Sequence, residues 1–407
     1  MSIGRRHAAP LAFAALIGCA IPNAGLNAAP PTPARFCVNN KCSAPPPATA
    51  AVAGPAVTTG IKWHPGHYVW LDPHSTPAAQ FAAIDALSAE TSVQGIELLI
   101  NWSSLEGDTQ GDYSAGFAAI DAYLAKLGSL KVPKRLLLGL NERSFGTPPP
   151  AGTNCATAGS SLLPAYLATL ADGGCAVAAP GAAGSLAVMA RFWEQPVMDR
   201  LIALSQAYAQ RYDQNPLFEM FWGNGETAVA APANSGFTQA AYNAQLKRWY
   251  DASKKVWQHT QLRLASNYDG SDAQTLDLIT YATTGGGVIV GGPDPELPLP
   301  VVTRTVQAND VFRGATGGGS DLRSTIPWIG EVQGMGLGMK FTQTPTQIFS
   351  YQSGTMNASY MVWMQNTYLG SAPQQWSTGI LPYIQSIQGS VSASACPPIY
   401  QQRCVTN

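Results

Sequence analysis

The hydrophobic pattern divides residues 60–385 into short apolar runs and longer amphipathic stretches. Runs such as 96–100 and 136–138 are almost continuously apolar, which is typical of strands buried on both faces and therefore of a parallel sheet. Gly, Pro and Asn bound the runs, as expected at the ends of strands. The runs predict eight strands, at 60–70, 95–102, 135–140, 217–222, 263–268, 287–291, 327–332 and 360–365.

The stretches between the runs carry helical spacing and helix start signals. Thr76 and Pro77 supply an N-cap and a proline for the first turn, and apolar residues recur at helical spacing over 195–212. The stretch 297–325 is Gly-rich and weakly periodic, so its helix is expected to be missing or short. Alternating strands and helices predict an α/β fold, a single decorated (β/α)8 TIM barrel. A doubly wound open sheet is the alternative, but no G-x-G-x-x-G motif follows the first strand.

The N-terminus has the pattern of an export signal. Arg5 and Arg6 precede an apolar run, 8–17, that is too short to span a bilayer as a helix. Two cleavage sites stay open: ordinary cleavage of a signal peptide over 1–29, or cleavage after residue 18 in a segment that resembles a bacterial lipobox. The second would leave Cys19 as a lipidated N-terminus.

The segment that follows, residues 30–58, is rich in Ala, Pro and Thr, and this composition predicts a linker. The barrel domain is then expected to occupy residues 59–407. Within it, the long insertion 145–186 is expected to form one wall of a cleft on the active-site face.

The cysteine count agrees with an oxidising compartment. Seven cysteines minus Cys19 leave six, an even number. Pairing between neighbours in sequence gives Cys37–Cys42, Cys155–Cys175 and Cys396–Cys404, although other connectivities stay open. The last pair is expected to clasp the C-terminal tail.

Composition and charge limit the classes of partner that the chain is expected to bind. The chain has 23 Lys and Arg against 24 Asp and Glu, and only 12% of its residues are charged. No basic stripe exists to neutralise phosphates, which argues against a nucleic-acid partner. Ten Trp and fifteen Tyr suit an extracytoplasmic protein that handles a neutral, hydroxyl-rich ligand. Oligomeric state is not predicted, and a lipid on Cys19 would be the only membrane anchor.

Polar and aromatic residues cluster around the expected strand ends, where the active site of such a barrel lies. Carboxylates, amides and indoles dominate, the side chains that hydrogen-bond sugar hydroxyls and stack on pyranose rings. The candidates for substrate binding are Trp63, His64, Trp102, Asn141, Asn224, Tyr268, Asp294 and Trp363.

Two of the nine glutamates fall at the ends of the fourth and seventh predicted strands. These are Glu226 and Glu331. With them the chain resembles the retaining glycoside hydrolases of clan A, which are (β/α)8 barrels. The resemblance implies that Glu226 is the acid/base after strand four and that Glu331 is the nucleophile after strand seven. Retention requires the two carboxyl groups to lie about 5–5.5 Å apart.

Other segments resemble the same clan, with one departure. Residues 102–107 and 111–113 are similar to its second-strand signature, and Trp363 is similar to the eighth-strand tryptophan that floors the sugar site. The clan usually has Asn directly before the acid/base, whereas Gly225 separates Asn224 from Glu226 here. Either the loop bulges by one residue, or Asn224 has lost its hydrogen bond to the substrate's 2-hydroxyl group.

No metal or cofactor is expected. His64 and His67 are separated by Pro and Gly, which do not support a helical pair of ligands, and no Cys or third His lies nearby. Glu97, in the middle of an apolar strand, is expected to form an internal ion pair with Arg135 or Arg143.

The sequence therefore predicts an exported glycoside hydrolase that cleaves a polysaccharide or oligosaccharide with retention. As an extracytoplasmic protein of a bacterium, it would be secreted, periplasmic or an outer-membrane lipoprotein. Two alternatives stay open, a non-catalytic carbohydrate-binding barrel and a transglycosylase that uses the same residues.

Overall fold

A computed structural model gives the fold. It describes residues 36–38, 41–43, 59–72, 75–145, 162–170, 174–177, 186–224, 226–227, 231, 235–267, 270–292, 303–315, 319–332, 343–365, 375–401 and 403–406. No helix within these ranges is both long enough and apolar enough to cross a membrane.

Eight parallel strands close into a barrel in chain order, as the sequence predicts. They are β1 (Gly66–Trp70), β2 (Val93–Asn101), β3 (Arg135–Asn141), β4 (Phe218–Trp222), β5 (Gln261–Leu264), β6 (Val288–Val290), β7 (Trp328–Val332) and β8 (Ala358–Met364). Because β8 pairs with β1, this sheet has no open edge. The doubly wound alternative is thereby excluded.

Helices follow the strands and cover the barrel. They are α1 (Pro77–Ala86), α2 (Ser114–Gly128), α3 (Gln195–Tyr212), α4 (Gln239–Val256), α5 (Asp272–Thr283), α6 (Thr303–Phe312), α7 (Pro345–Gly354) and α8 (Leu381–Ser386). Side-chain oxygens of Thr76, Ser271 and Thr344 cap three of them by accepting backbone N–H groups of the first turn. Helix α6 has ten residues, in the stretch where the sequence pattern predicts a missing or short helix.

The alternation along each strand separates two apolar layers. On β8, Tyr360, Val362 and Met364 belong to the apolar cluster in the barrel interior, which also contains Trp222. Met361 and Trp363, one position out of phase, belong to the cluster between the strands and the helices. The parity of a residue on its strand therefore decides whether its side chain can reach the site.

The N-terminal end of the barrel is closed by the segment just before β1 and by the C-terminal tail. Ile61–Lys62 pairs with Cys404–Val405, and a disulfide joins Cys396 to Cys404 across a Cα–Cα distance of 5.7 Å, as the local pairing predicts. The ring of Trp63 packs edge-on against Tyr360 and Tyr400 inside this closure. The C-terminal tail is thus fastened to the floor of the barrel, opposite the strand ends that carry Glu226 and Glu331.

Two smaller sheets contain three of the four other predicted disulfide positions. Arg143–Phe145, Leu186–Ala190 and Cys175–Val177 form an antiparallel sheet that begins directly after β3. Cys175 is disulfide-bonded, and its predicted partner Cys155 lies outside the described residues. In the segment that the sequence predicts as a linker, Phe36–Val38 pairs with Lys41–Ser43, which places Cys37 opposite Cys42 in the register.

Candidate active site

An arginine joins two carboxyl groups in the interior of the barrel. Arg263 on β5 is fully buried. Its Nη2 forms an ion pair with Glu331 Oε2 on β7, and its Nη1 lies 3.2 Å from Glu97 Oε2 on β2. The three positions face inward from three different strands, so only the closed barrel brings them together.

The guanidinium of Arg263 also lies over an indole. Its central carbon is 4.7 Å from the ring centroid of Trp222 on β4, a favourable cation–π distance. Gly139 on the adjacent strand β3 makes room for this ring, since a Cβ atom at that position would collide with the indole. The glycine, the tryptophan and the strand pairing between β3 and β4 therefore fix one face of the arginine.

The charged groups of Arg263, Glu97 and Glu331 lie close enough to shift pKa values within the group. Burial and the nearby Glu331 raise the pKa of Glu97 well above its usual range, and Arg263 offsets this only in part. Burial opposes the charge on Arg263, but the carboxyl groups of Glu331 and Glu97 outweigh it and raise the pKa of the guanidinium. Arg263 is therefore a permanent cation inside the barrel.

Glu226 follows β4 and is held by a residue that follows β5. Asn267 Nδ2 donates a hydrogen bond of 2.7 Å to Glu226 Oε2. The Asn267 amide has a defined orientation, because its Oδ1 accepts the backbone N–H of Thr227 at 3.2 Å. The charge of Glu226 also contributes to the raised pKa of Arg263 and of Arg143. Glu226 and Glu331 thus share the field of one arginine.

Asn224 is buried next to Glu226 and is used within its loop. The Nδ2 atom of Asn224 donates to the backbone oxygen of Glu226 at 3.2 Å. Its Oδ1 is buried and has no hydrogen-bond partner among the described residues. The amide nitrogen of Asn224 is therefore bonded to the backbone of Glu226, two residues later.

Asn141 lies at the mouth of the barrel, at the end of β3. Its Nδ2 donates to Asn101 Oδ1, at the end of β2, over 2.8 Å. Directly after it, the buried residues Glu142 and Arg143 pair with each other. Of the predicted binding residues, Asn141 and Asn224 thus lie at strand ends on the same side of the barrel as Glu226.

Trp63 and His64 lie at the opposite end of the barrel, so their expected contact with a sugar is wrong. Both precede β1, because Pro65 and Gly66 end the extended segment that the pattern joins into one strand. Trp63 Nε1 donates to the backbone oxygen of Ser394, and His64 Nδ1 lies 2.8 Å from Glu219 Oε2. Their contacts are structural ones in the floor of the barrel.

Trp102 and Trp363 are both completely buried, which corrects their expected stacking on a sugar. Trp102 Nε1 donates to Glu106 Oε2 at 2.9 Å, and Glu106 in turn binds Arg200 of α3. The signature over residues 102–107 therefore ties the end of β2 to the helix layer. Trp363 Nε1 donates to His67 Nδ1 at 3.0 Å, on the outer face of the strands.

We expect Trp363→Ala to act on stability rather than on substrate binding. Removing a fully buried indole leaves a cavity between β8 and the helices, which costs about 3–5 kcal/mol of unfolding free energy. Urea unfolding measures this loss. A catalytic defect in a variant with native stability would instead indicate that Trp363 contributes to substrate binding.

The remaining expectations concern metals and residues that the sequence reasoning did not single out. Tyr268 and Asp294 lie outside the described residues. Within the described ranges, no three His, Cys, Asp or Glu side chains are grouped so as to hold a metal ion. Arg263 and Asn267 are site residues that the sequence does not predict, although an arginine between Leu262 and Leu264 in a barrel strand is a usable signal. Glu97 pairs with this arginine rather than with Arg135 or Arg143.

The chain thus folds as a closed (β/α)8 barrel, with Glu226 after β4 and Glu331 on β7. Among solved structures, the chain is similar to endo-glycoceramidase II from Rhodococcus sp. bound to a cellobiose-like imidazole, at 14% identity and a TM-score of 0.51 over 80% of each chain. It is also similar to a β-glucanase from Saccharophagus degradans in complex with cellotetraose, at 13% identity and a TM-score of 0.50 over 85% of this chain and 98% of that one.

A third similar structure is the catalytic domain of β-amylase from Paenibacillus polymyxa, at 8% identity and a TM-score of 0.52 over 83% of this chain and 100% of that one. No protein-family model matches the sequence, and neither does any curated protein. At these identities the likeness is one of fold.

Proposed function

We propose that the protein is a retaining glycoside hydrolase with Glu226 as acid/base and Glu331 as nucleophile. The observation that carries the proposal is the position of the two carboxyl groups. Glu226 follows β4 and Glu331 lies near the C-terminal end of β7, where the active sites of such barrels form, and both act on the buried Arg263. A pair of carboxyl groups in distinct environments is what the two steps of retention require.

Glu331 is suited to attack the anomeric carbon. A nucleophilic carboxyl group must be ionised, and the ion pair with Arg263 stabilises its charge. Glu226 protonates the departing oxygen as the glycosyl bond to Glu331 forms. In the second step Glu226 accepts a proton from water, and this water attacks the anomeric carbon and releases Glu331.

Asn267 orients the acid. Its Nδ2 donates to Glu226 Oε2, and the carbonyl oxygen of a carboxylic acid is a better acceptor than its hydroxyl oxygen. The hydrogen bond therefore favours the proton on Oε1. Since Thr227 fixes the Asn267 amide, this preference is built into the loop before substrate binds.

We expect Asn267→Ala to lower kcat/KM by about tenfold for substrates with poor leaving groups, which is the effect of losing one hydrogen bond to an ionisable group. Substrates with good leaving groups need little protonation and should be affected less. A series of aryl glycosides measures the difference. Asn215→Ala, at the other end of the barrel, is the control. An equal loss for all leaving groups would contradict the role of Asn267.

The proposed substrate is a neutral polysaccharide or oligosaccharide. The chain has few charged residues, and its site offers amides at the ends of β2 and β3 as well as the two glutamates. The similar β-glucanase was solved with cellotetraose and the similar endo-glycoceramidase with a cellobiose-like compound. The antiparallel sheet after β3 is suited to form one wall of the cleft. A panel of α- and β-linked glycans, with products identified by NMR, tests the activity, the linkage and the stereochemistry.

Export is the second part of the proposal. The signal-like N-terminus, the disulfide between Cys396 and Cys404 and the bonded Cys175 support it. Mass spectrometry of the mature N-terminus distinguishes a lipidated Cys19 from cleavage near residue 29. An unprocessed N-terminus in the bacterial host would overturn the proposal of export.

A further inference from the structure

Arg263, Glu331 and Glu97 form the charged cluster inside the barrel. Of these three residues, Glu97 is the one that has no task in the proposed reaction. It lies on β2, only 1% exposed, with its Oε2 directed at Arg263. Its Oε1 is buried and has no hydrogen-bond partner among the described residues. A buried carboxylate without full hydrogen bonding is strongly destabilising, so its presence beside the proposed nucleophile needs a reason.

The charge balance of the cluster requires a proton. Arg263, on β5, is the cation that contacts both carboxyl groups. If Glu97 and Glu331 were both ionised, Arg263 would be in contact with two carboxylates at once. Two carboxyl groups that share a site take up one proton between them, as the dyads of other enzymes do.

The geometry assigns this proton to one of the two. The contact of Arg263 with Glu331 is the closer one, whereas Glu97 Oε2 lies 3.2 Å from the guanidinium. Glu97 is also the more deeply buried of the two, with a side-chain exposure of 1% against 6%. Desolvation therefore disfavours a charge on Glu97 more strongly, and the direction of its raised pKa agrees.

We propose that Glu97 is a positioning residue that carries a proton in the resting protein and, as an uncharged acid, holds Arg263 in place against an ionised Glu331. For the role of Glu331 as nucleophile, this inference rests on the proposed function. Glu97 acts through Arg263. It holds the guanidinium opposite Glu331. Because Glu97 is uncharged, Arg263 forms its ion pair with Glu331 alone.

Infrared spectroscopy of the full chain at neutral pH tests the proton directly. Besides a band from protonated Glu226, isotopically labelled glutamate should show a protonated-carboxyl band in the wild type that disappears in Glu97→Gln. We also expect this band to disappear in Glu331→Gln, because Arg263 then has no competing carboxylate partner and Glu97 ionises to pair with it. A merely structural Glu97 would give no such linkage between two positions.

Glu226→Gln is the matched control. This variant removes the proton of the proposed acid but leaves Arg263 and its two contacts in place, so the band of Glu97 should persist. A wild-type spectrum that Glu97→Gln leaves unchanged would overturn the proposal. Persistence of the band in Glu331→Gln would overturn it as well, even if Glu97→Gln failed to fold. Because these measurements need no substrate, their outcome is independent of whether the protein hydrolyses glycosides.

Discussion

Glu331→Ala is expected to abolish glycoside hydrolysis, with a fall in kcat of at least about 10⁴-fold, as is usual when a nucleophile is removed. The variant retains Arg263 and a space where the carboxylate lay. Added azide should enter this space, attack the anomeric carbon from the same side and restore turnover. Because a single displacement then replaces two, the product should be a glycosyl azide of inverted configuration, which NMR identifies.

The control for this variant is Glu90→Ala, a glutamate in the loop before β2 that hydrogen-bonds Ser92 and Gln385. It lies at the N-terminal end of the strands and should leave turnover and azide sensitivity unchanged. Full activity in Glu331→Ala, or rescue with retained configuration, would contradict the role of Glu331.

Glu226→Ala should separate the two steps of the reaction. Substrates with good leaving groups need little protonation, so the glycosyl intermediate should still form from them. Its hydrolysis should slow, by about 10²–10⁴-fold, because no base activates the water. The covalent intermediate should therefore accumulate and be visible as a mass shift of the intact protein.

Azide distinguishes Glu226 from Glu331. As a nucleophile that requires no base, it should restore the turnover of Glu226→Ala with a product of retained configuration. This outcome is opposite in stereochemistry to that of Glu331→Ala. Equal leaving-group dependence in Glu226→Ala and the wild type would show that Glu226 is not the acid.

The barrel could be predicted because each strand has a recognisable local sequence pattern. Near-continuous apolar runs mark strands buried on both faces, and Thr76, Ser271 and Thr344 mark helix starts through short-range hydrogen bonds. Glu226 lies after the fourth run and Glu331 near the end of the seventh, and the catalytic roles proposed for them are what the resemblance to clan A implies. The pattern predicts one strand over 60–70, and this is wrong. Pro65 and Gly66 divide the run into Ile61–Lys62, in the floor of the barrel, and β1. Over 303–312, where the pattern predicts a missing or short helix, the ten-residue α6 forms.

The side chains around the two glutamates could not be predicted in the same way. Trp363 differs from its neighbour Val362 only by strand parity, and one step places it among the helices instead of inside the barrel. The pairing of Arg263 with Glu97 joins residues 166 positions apart. Such a pair depends on the closure of the sheet, because β2 and β5 are not adjacent strands.

The measurement that tests the account most directly is the site of covalent labelling. A 2-fluoro glycoside of the sugar found in the glycan panel should inactivate the wild-type protein and form a stable glycosyl ester. Peptide mapping by mass spectrometry should then find one label, on Glu331, and Glu331→Gln should remain unlabelled. A label on Glu226 or elsewhere, or an inverted product from the wild type, would contradict the assignment of Glu331 as the nucleophile.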